Sequence, residues 1–170
     1  MGTRPTDDAV AIVTGSRGTG REIARKLASR GYAVVVVYLR DRGEADAAVE
    51  EILAANGTAL AIRADLTDEL DVERLFDETT AAFGGVDVVV HTAVRGTSVV
   101  ERQAARQLRH GGAIIDVSNS EAIAPVLADE LSARDITVNG VAPGLESPGA
   151  RHDIADLIVL LDRWRSSPAK

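Results

Sequence analysis

The sequence predicts an α/β domain built on a doubly wound parallel sheet of about six strands, with helices on both faces. Short apolar runs alternate with amphipathic stretches along the whole chain, as in strand–helix–strand units. The runs at 33–37 and 86–90 are continuously apolar and rich in valine, the pattern of strands buried on both faces. The first run, 10–13, passes through Thr14-Gly15-Ser16-Arg17-Gly18-Thr19-Gly20 directly into a helix, so the sheet opens on a glycine-rich strand-to-helix turn. Crossovers of this kind are right-handed.

Taken in order, 1–8 read as a lead-in, 9–165 as one domain and 166–170 as a tail. The first helix, 19–30, gathers Ile23, Ala24, Leu27 and Ala28 on one face and stops at Gly31. After the strand at 33–37, a helix over 43–55 turns Val49, Ile52 and Leu53 inward and ends at Asn56-Gly57. A strand follows at 58–63. Thr67 is expected to cap a helix that opens with Asp68 and Glu69 and buries Val72, Leu75, Phe76 and Phe83. Gly84-Gly85 leads to the strand at 86–90. Ser98 and Glu101 have capping-box spacing for a helix running to His110, closed by Gly111-Gly112. A strand at 113–117, a short helix at 125–134, a strand at 137–141 and a helix at 153–164, with Leu161 on its apolar stripe, complete the pattern.

Composition narrows the function. The 170 residues are 45% hydrophobic and 26% charged, an ordinary globular balance. The formal net charge of -7 and the scatter of Arg among acids argue against a nucleic-acid partner. With no cysteine, thiolate nucleophiles, disulfides and cysteine metal sites are excluded. The three histidines lack metal-ligand spacing, so no metal is expected. A polar start and the lack of a long apolar run point to a cytoplasmic chain with no membrane partner.

The glycine turn carries the strongest chemical signal. Its glycines permit a tight turn and close approach of a ligand, and the helix N-terminus behind it favours an anion such as a pyrophosphate. At the end of the second strand, Tyr38-Leu39-Arg40-Asp41-Arg42 puts no acid directly where a ribose diol would be held. Arg40, with Arg17 in the turn, suits a 2′-phosphate, so NADP(H) is preferred and NAD(H) remains an alternative. Against this, Arg40 and Arg42 could be loop charges paired with Asp41 or Glu44.

Residue by residue, the chain resembles the short-chain dehydrogenases/reductases, and most of all the ketoacyl-carrier-protein-reductase-like members. Residues 14–20 resemble that family's TGxxxGxG turn, and Ala64-Asp65-Leu66 its adenine-contacting segment. Val90-His91-Thr92-Ala93 is similar to its fourth-strand NNAG region, 111–118 to its fifth strand, and Val141-Ala142-Pro143-Gly144 to its PG turn. The resemblance implies a Rossmann-type sheet. It also implies cofactor contacts from Gly15, Ser16, Arg17, Gly18, Thr19, Gly20, Leu39, Arg40, Asp65, Leu66, His91, Ala93, Pro143 and Gly144.

The departures are equally definite. The family's acid/base Tyr is followed four residues later by Lys. Here the tyrosines are Tyr32 and Tyr38 and the lysines Lys26 and Lys170, so the pair is absent. Asn119 stands at the position matched to the catalytic Ser, flanked by Ser118 and Ser120. The fourth and fifth helices are shortened, the substrate-covering loop before Asp153 is cut, and no seventh strand follows Trp164. Trp164, between Arg163 and Arg165, is either an anchor for a partner or an edge-of-core residue. His110 is expected to complement a helix C-terminus, and His152 to lie on the surface. His91, at a strand end, either opens onto the cleft as an acid/base beside Asn119 or only bonds backbone.

Hydride transfer to a carbonyl needs a proton donor at the oxygen, and the family's donor is missing. The expected protein therefore binds a dinucleotide without the family's redox chemistry, as a binding or partner subunit, and whether it is an enzyme stays open. It would be a homodimer or a heteromer with a full-length relative. The alternatives are a non-canonical oxidoreductase or non-redox enzyme using His91 and Asn119, and a structural partner that binds no nucleotide.

Overall fold

The computed structural model describes residues 9–93, 95–117 and 127–140, together with Leu161. Among them, β1 (Val10–Thr14), α1 (Gly18–Ser29), β2 (Ala33–Tyr38), α2 (Arg42–Ala54) and β3 (Thr58–Arg63) build the first half. The second comprises α3 (Glu69–Phe83), β4 (Val86–His91), α4 (Thr97–Gln107), β5 (Leu108–Asp116), α5 (Ala128–Ala133) and β6 (Thr137–Gly140). The six strands form one parallel sheet in the order β3-β2-β1-β4-β5-β6. The chain winds outward from β1 to β3, then returns to the centre at β4. The switch lies between β1 and β4, where Thr14 faces His91 in register.

Alternate residues of each strand feed two cores, one on each face. Ala11, Val13, Val34, Val36, Val88 and Val90 pack with Ile23, Ala24 and Leu27 of α1 and with Ala45, Ala48 and Ile52 of α2. Ile12, Val35, Val37 and Val89 pack on the other face with Val72, Leu75 and Phe76 of α3 and Val100 and Ala104 of α4. Full burial of one such large side chain is worth about 1.5–3 kcal/mol. This two-sided burial explains the unbroken valine runs. Leu161, of the predicted last helix, is 1% exposed and joins the first core.

Several local expectations change. The cap of α3 is Asp68, whose Oδ1 accepts from the backbone N–H groups of Leu70 and Asp71 at 2.9 and 3.0 Å. Thr67 instead donates to Asp65. Leu53 is 52% exposed, because the inward stripe of α2 runs through Ala45, Ala48 and Ile52. The capping box fails too. Gly96 precedes α4 with φ +81 and no side-chain cap, and Glu101 points inward instead.

The same helix ends at Gln107, and β5 already runs from Leu108, placing Gly111-Gly112 within the strand and His110 exposed on it. A register shift against β4 between Val86 and Val88 absorbs the longer strand. The guanidinium of Arg134 closes α4, donating to the carbonyls of Ala105 and Leu108, so a side chain from outside the helix does the work assigned to His110. The predicted segment 1–8, the start of the helix at 125–134, Val141, the rest of the helix at 153–164 with His152 and Trp164, and the tail 166–170 lie outside the described residues.

Candidate functional site

The glycine turn closes on itself and on the end of β4. Gly15 adopts φ +128, and a Cβ there would meet Thr92 Oγ1 at 2.6 Å. A Cβ on Gly20 would meet the Gly15 carbonyl oxygen at 2.4 Å, a contact with backbone that no rotamer can relieve. Gly18, at φ +48, faces open space. The turn is tied down by Gly15 N–H donating to Val37 O at 3.2 Å and Gly20 N–H to Arg17 O at 3.0 Å. α1 has neither a side-chain cap nor an acid in its first turn, so its positive end is not neutralised from within the helix.

Beside this turn, at the carboxyl ends of the strands, lies a cavity of about 360 Å³, within the range of small-molecule sites. Of the predicted residues, Gly15 and Ser16 line it from the turn, and Leu39 and Arg40 from the end of β2. Asp65 and Leu66 line it from the end of β3, and Ala93 from the end of β4. Gly18, Thr19 and Gly20 start α1 and do not line it. Pro143, Gly144 and Asn119, with Ser118, lie outside the described residues. Tyr38, Thr67 and Arg95 also line the cavity and were not anticipated. A larger groove of about 710 Å³ at the opposite edge, between the C-terminal ends of α1 and α2, holds none of the predicted residues.

Asp65 is prepared as an anion. Its Oδ1 accepts from the Thr67 hydroxyl at 2.6 Å and from the Thr67 N–H at 2.9 Å, and these bonds hold its carboxyl below the usual range. Its own N–H donates to Asp71 Oδ2 at 2.9 Å, which fixes the loop entering α3. The cations sort differently from expectation. Arg17 pairs with Asp41 at 3.2 Å, Arg42 with Asp46 at 3.4 Å, and Glu44 is taken by Arg21 at 3.2 Å. Arg40 lines the cavity, whereas Arg17 does not.

His91 does not open onto this cavity. Its ring is 1% exposed. Nδ1 lies 3.0 Å from Thr14 Oγ1 and Nε2 3.1 Å from Thr97 Oγ1. Burial pushes the imidazole below its ordinary pKa, against the pull of Asp116, so the ring is neutral near pH 7. One turn along α4 from Thr97, Glu101 is 4% exposed with Oε1 unpartnered. Burial, with Asp116 adding repulsion, pushes its carboxyl up to about 7. A glutamate beside Val100 and three residues before Ala104, on the apolar stripe, is the sequence signal for this burial. Arg95 has no such signal, because only the turn geometry brings it to the cavity.

A parallel sheet with this strand order, a glycine turn after β1 and a cavity at the switch point defines a doubly wound nucleotide-binding type of fold. The chain belongs to the short chain dehydrogenase family, whose model matches residues 9–118. It is 34% identical to an uncharacterized oxidoreductase of Methylorubrum extorquens, over 79% of this chain and 72% of that protein. It is 32% identical to a 3-oxoacyl-acyl-carrier-protein reductase of Staphylococcus aureus, over 79% of this chain and 73% of that protein. A short chain dehydrogenase from Burkholderia cenocepacia, solved in complex with NADP, superposes with a TM-score of 0.76 at 27% identity, covering 96% of this chain and 95% of that one.

Proposed function

We propose that this protein binds NADP(H) at the cavity beside the glycine turn and lacks the family's own proton donor for carbonyl reduction. The observation that carries the reading is the convergence of Gly15, Ser16, Arg40 and Asp65 on one cavity in a chain whose tyrosines and lysines never stand four apart. The close approach of Gly20 to the Gly15 backbone keeps the turn tight, and Gly18 faces open space, which fits a pyrophosphate laid against backbone. Asp65 suits an amino-group donor on the base, and Arg40 a phosphate on the ribose. A bound nicotinamide would supply hydride chemistry; the described residues would supply only binding and orientation.

His91 is then a positioning residue, fixing the ends of β1 and β4 and the start of α4 through Thr14 and Thr97. Its burial weighs against the reading in which it is an acid/base with Asn119. The role that fits is a binding or partner subunit in the cytoplasm, as a homodimer or with a full-length relative. Titration with NADPH, followed by ligand fluorescence and by melting temperature, tests the proposal. Saturation with a rise in melting temperature is expected, together with no carbonyl-dependent oxidation of NADPH. No response to NADPH sinks the nucleotide reading. Turnover with a carbonyl panel sinks the loss of redox activity.

A further inference from the structure

Three charged side chains line the cavity: Arg40, Asp65 and Arg95. Two are guanidiniums and one is a carboxylate whose Oδ1 is already engaged by Thr67. The cavity therefore has a surplus of positive charge although the chain as a whole is acidic. Nearby guanidiniums are committed elsewhere: Arg17 to Asp41, Arg42 to Asp46, and Arg74 to Asp71 and Glu78. Among the described residues, no salt bridge engages Arg40 or Arg95.

Arg95 is also seated by its neighbour. Gly96 has φ +81, and a Cβ there would lie 2.2 Å from the Leu66 carbonyl oxygen. Gly96 thus rests directly on the loop between β3 and α3, which lines the cavity through Asp65, Leu66 and Thr67. Arg40 follows β2 and Arg95 precedes α4, and both line the same cavity. Two arginines that line one cavity from different elements, neither held in a salt bridge among the described residues, suit an anion that accepts several hydrogen bonds.

We propose that Arg95 is a specificity-determining residue that, with Arg40, binds the 2′-phosphate of an adenine nucleotide. The inference rests on the NADP(H)-binding reading above and assigns the second cation to Arg95 rather than to Arg17. Its side chain is exposed, so replacing it leaves both cores intact.

The test compares 2′,5′-ADP with 5′-AMP by calorimetric titration of the full chain, since the two ligands differ only in the 2′-phosphate. In Arg95→Gln, affinity for 2′,5′-ADP should fall about tenfold while that for 5′-AMP stays within about twofold. Arg40→Gln should show the same ligand pattern, and Arg95→Lys should recover part of the loss. Equal loss on both ligands, which is what stacking on the base or contact with the 5′-phosphate gives, overturns the inference. No loss on either ligand overturns it too, and in both cases the nucleotide site stands. Failure of the unmodified protein to bind either ligand overturns the site and the inference together.

Discussion

The ends of β1 to β3 and the ends of β4 and β5 lie along the same carboxyl edge of the sheet and handle polar groups in opposite ways. On the β1–β3 side, Ser16, Arg40 and Asp65 border a cavity open to a ligand, to which the turn after β4 adds Ala93 and Arg95. On the β4–β5 side, His91 and Glu101 are 1% and 4% exposed, and His91 meets Asp116 across the strand pair. The first arrangement keeps its charges where a ligand can compensate them. The second places titratable groups where burial suppresses charge. A strand end at the switch point is thus not a site by position alone; access to solvent separates a binding edge from a sealed structural one.

The largest effect that tests this contrast is expected at Gly20. In Gly20→Ala the new methyl would lie 2.4 Å from the Gly15 carbonyl oxygen, so the turn must open. Affinity for NADPH should drop by about a hundredfold or more, equivalent to about 3 kcal/mol. His91 meets this turn through Thr14, the residue before Gly15, yet its other partner Thr97 lies on α4, so its imidazole should respond far less than the affinity for NADPH. Fluorescence titration measures the first effect, and imidazole NMR shifts the second. Unchanged NADPH affinity would move the binding edge away from the glycine turn.

The sealed side should announce itself through pH. Glu101 holds its proton to about 7 when folded, against 4.5 for the free side chain. Between those values the folded chain binds a proton that the unfolded chain has released. Stability from this group therefore declines as pH rises through the window and levels off above it. His91 acts in the opposite sense. Its pKa lies below the ordinary 6.5, so stability from it declines as pH falls below that value. Glu101→Gln keeps the shape and removes the charge. It should stabilise by ~1–3 kcal/mol above about pH 7 and progressively less toward about pH 4.5. Urea midpoints of both proteins across that range give the comparison. A gain independent of pH would mean that Glu101 is not titrating in the fold.

The fold was legible because burial on both sheet faces leaves runs such as Val34–Val37 with no polar interruption. The cavity was largely legible as well, since Gly15, Ser16, Arg40 and Asp65 each follow a recognisable strand. What stayed hidden depends on contacts between distant segments. The closing of α4 by Arg134 and the seating of Arg95 by Gly96 on Leu66 require the folded positions of separate loops. The failed capping box has the same cause. Glu101 has the right spacing from Ser98, but the packing of α4 against β4 and β5 turns it toward the core, and tertiary burial overrides a local cap.

Arg17 gives the finest discrimination between the two regions, because sequence alone places it beside Arg40 as a phosphate ligand. The structure pairs it with Asp41 at 3.2 Å, with side-chain exposures of 63% and 50%. An ion pair that open is weak and readily exchanged, so stability should hardly respond to Arg17→Ala. Binding should respond little as well. A guanidinium balanced by its own carboxylate adds no net charge near the ligand, and Arg17 does not border the cavity. The ratio of NADPH to NADH affinity should therefore change by about twofold or less in Arg17→Ala. In Arg40→Ala, with no such carboxylate partner, it should change by about tenfold. Removing Asp41 sharpens the point. In Asp41→Ala, Arg17 loses its partner and NADPH should gain slightly over NADH. A tenfold loss in Arg17→Ala would show that the ligand draws Arg17 away from Asp41, extending the binding edge around the start of α1.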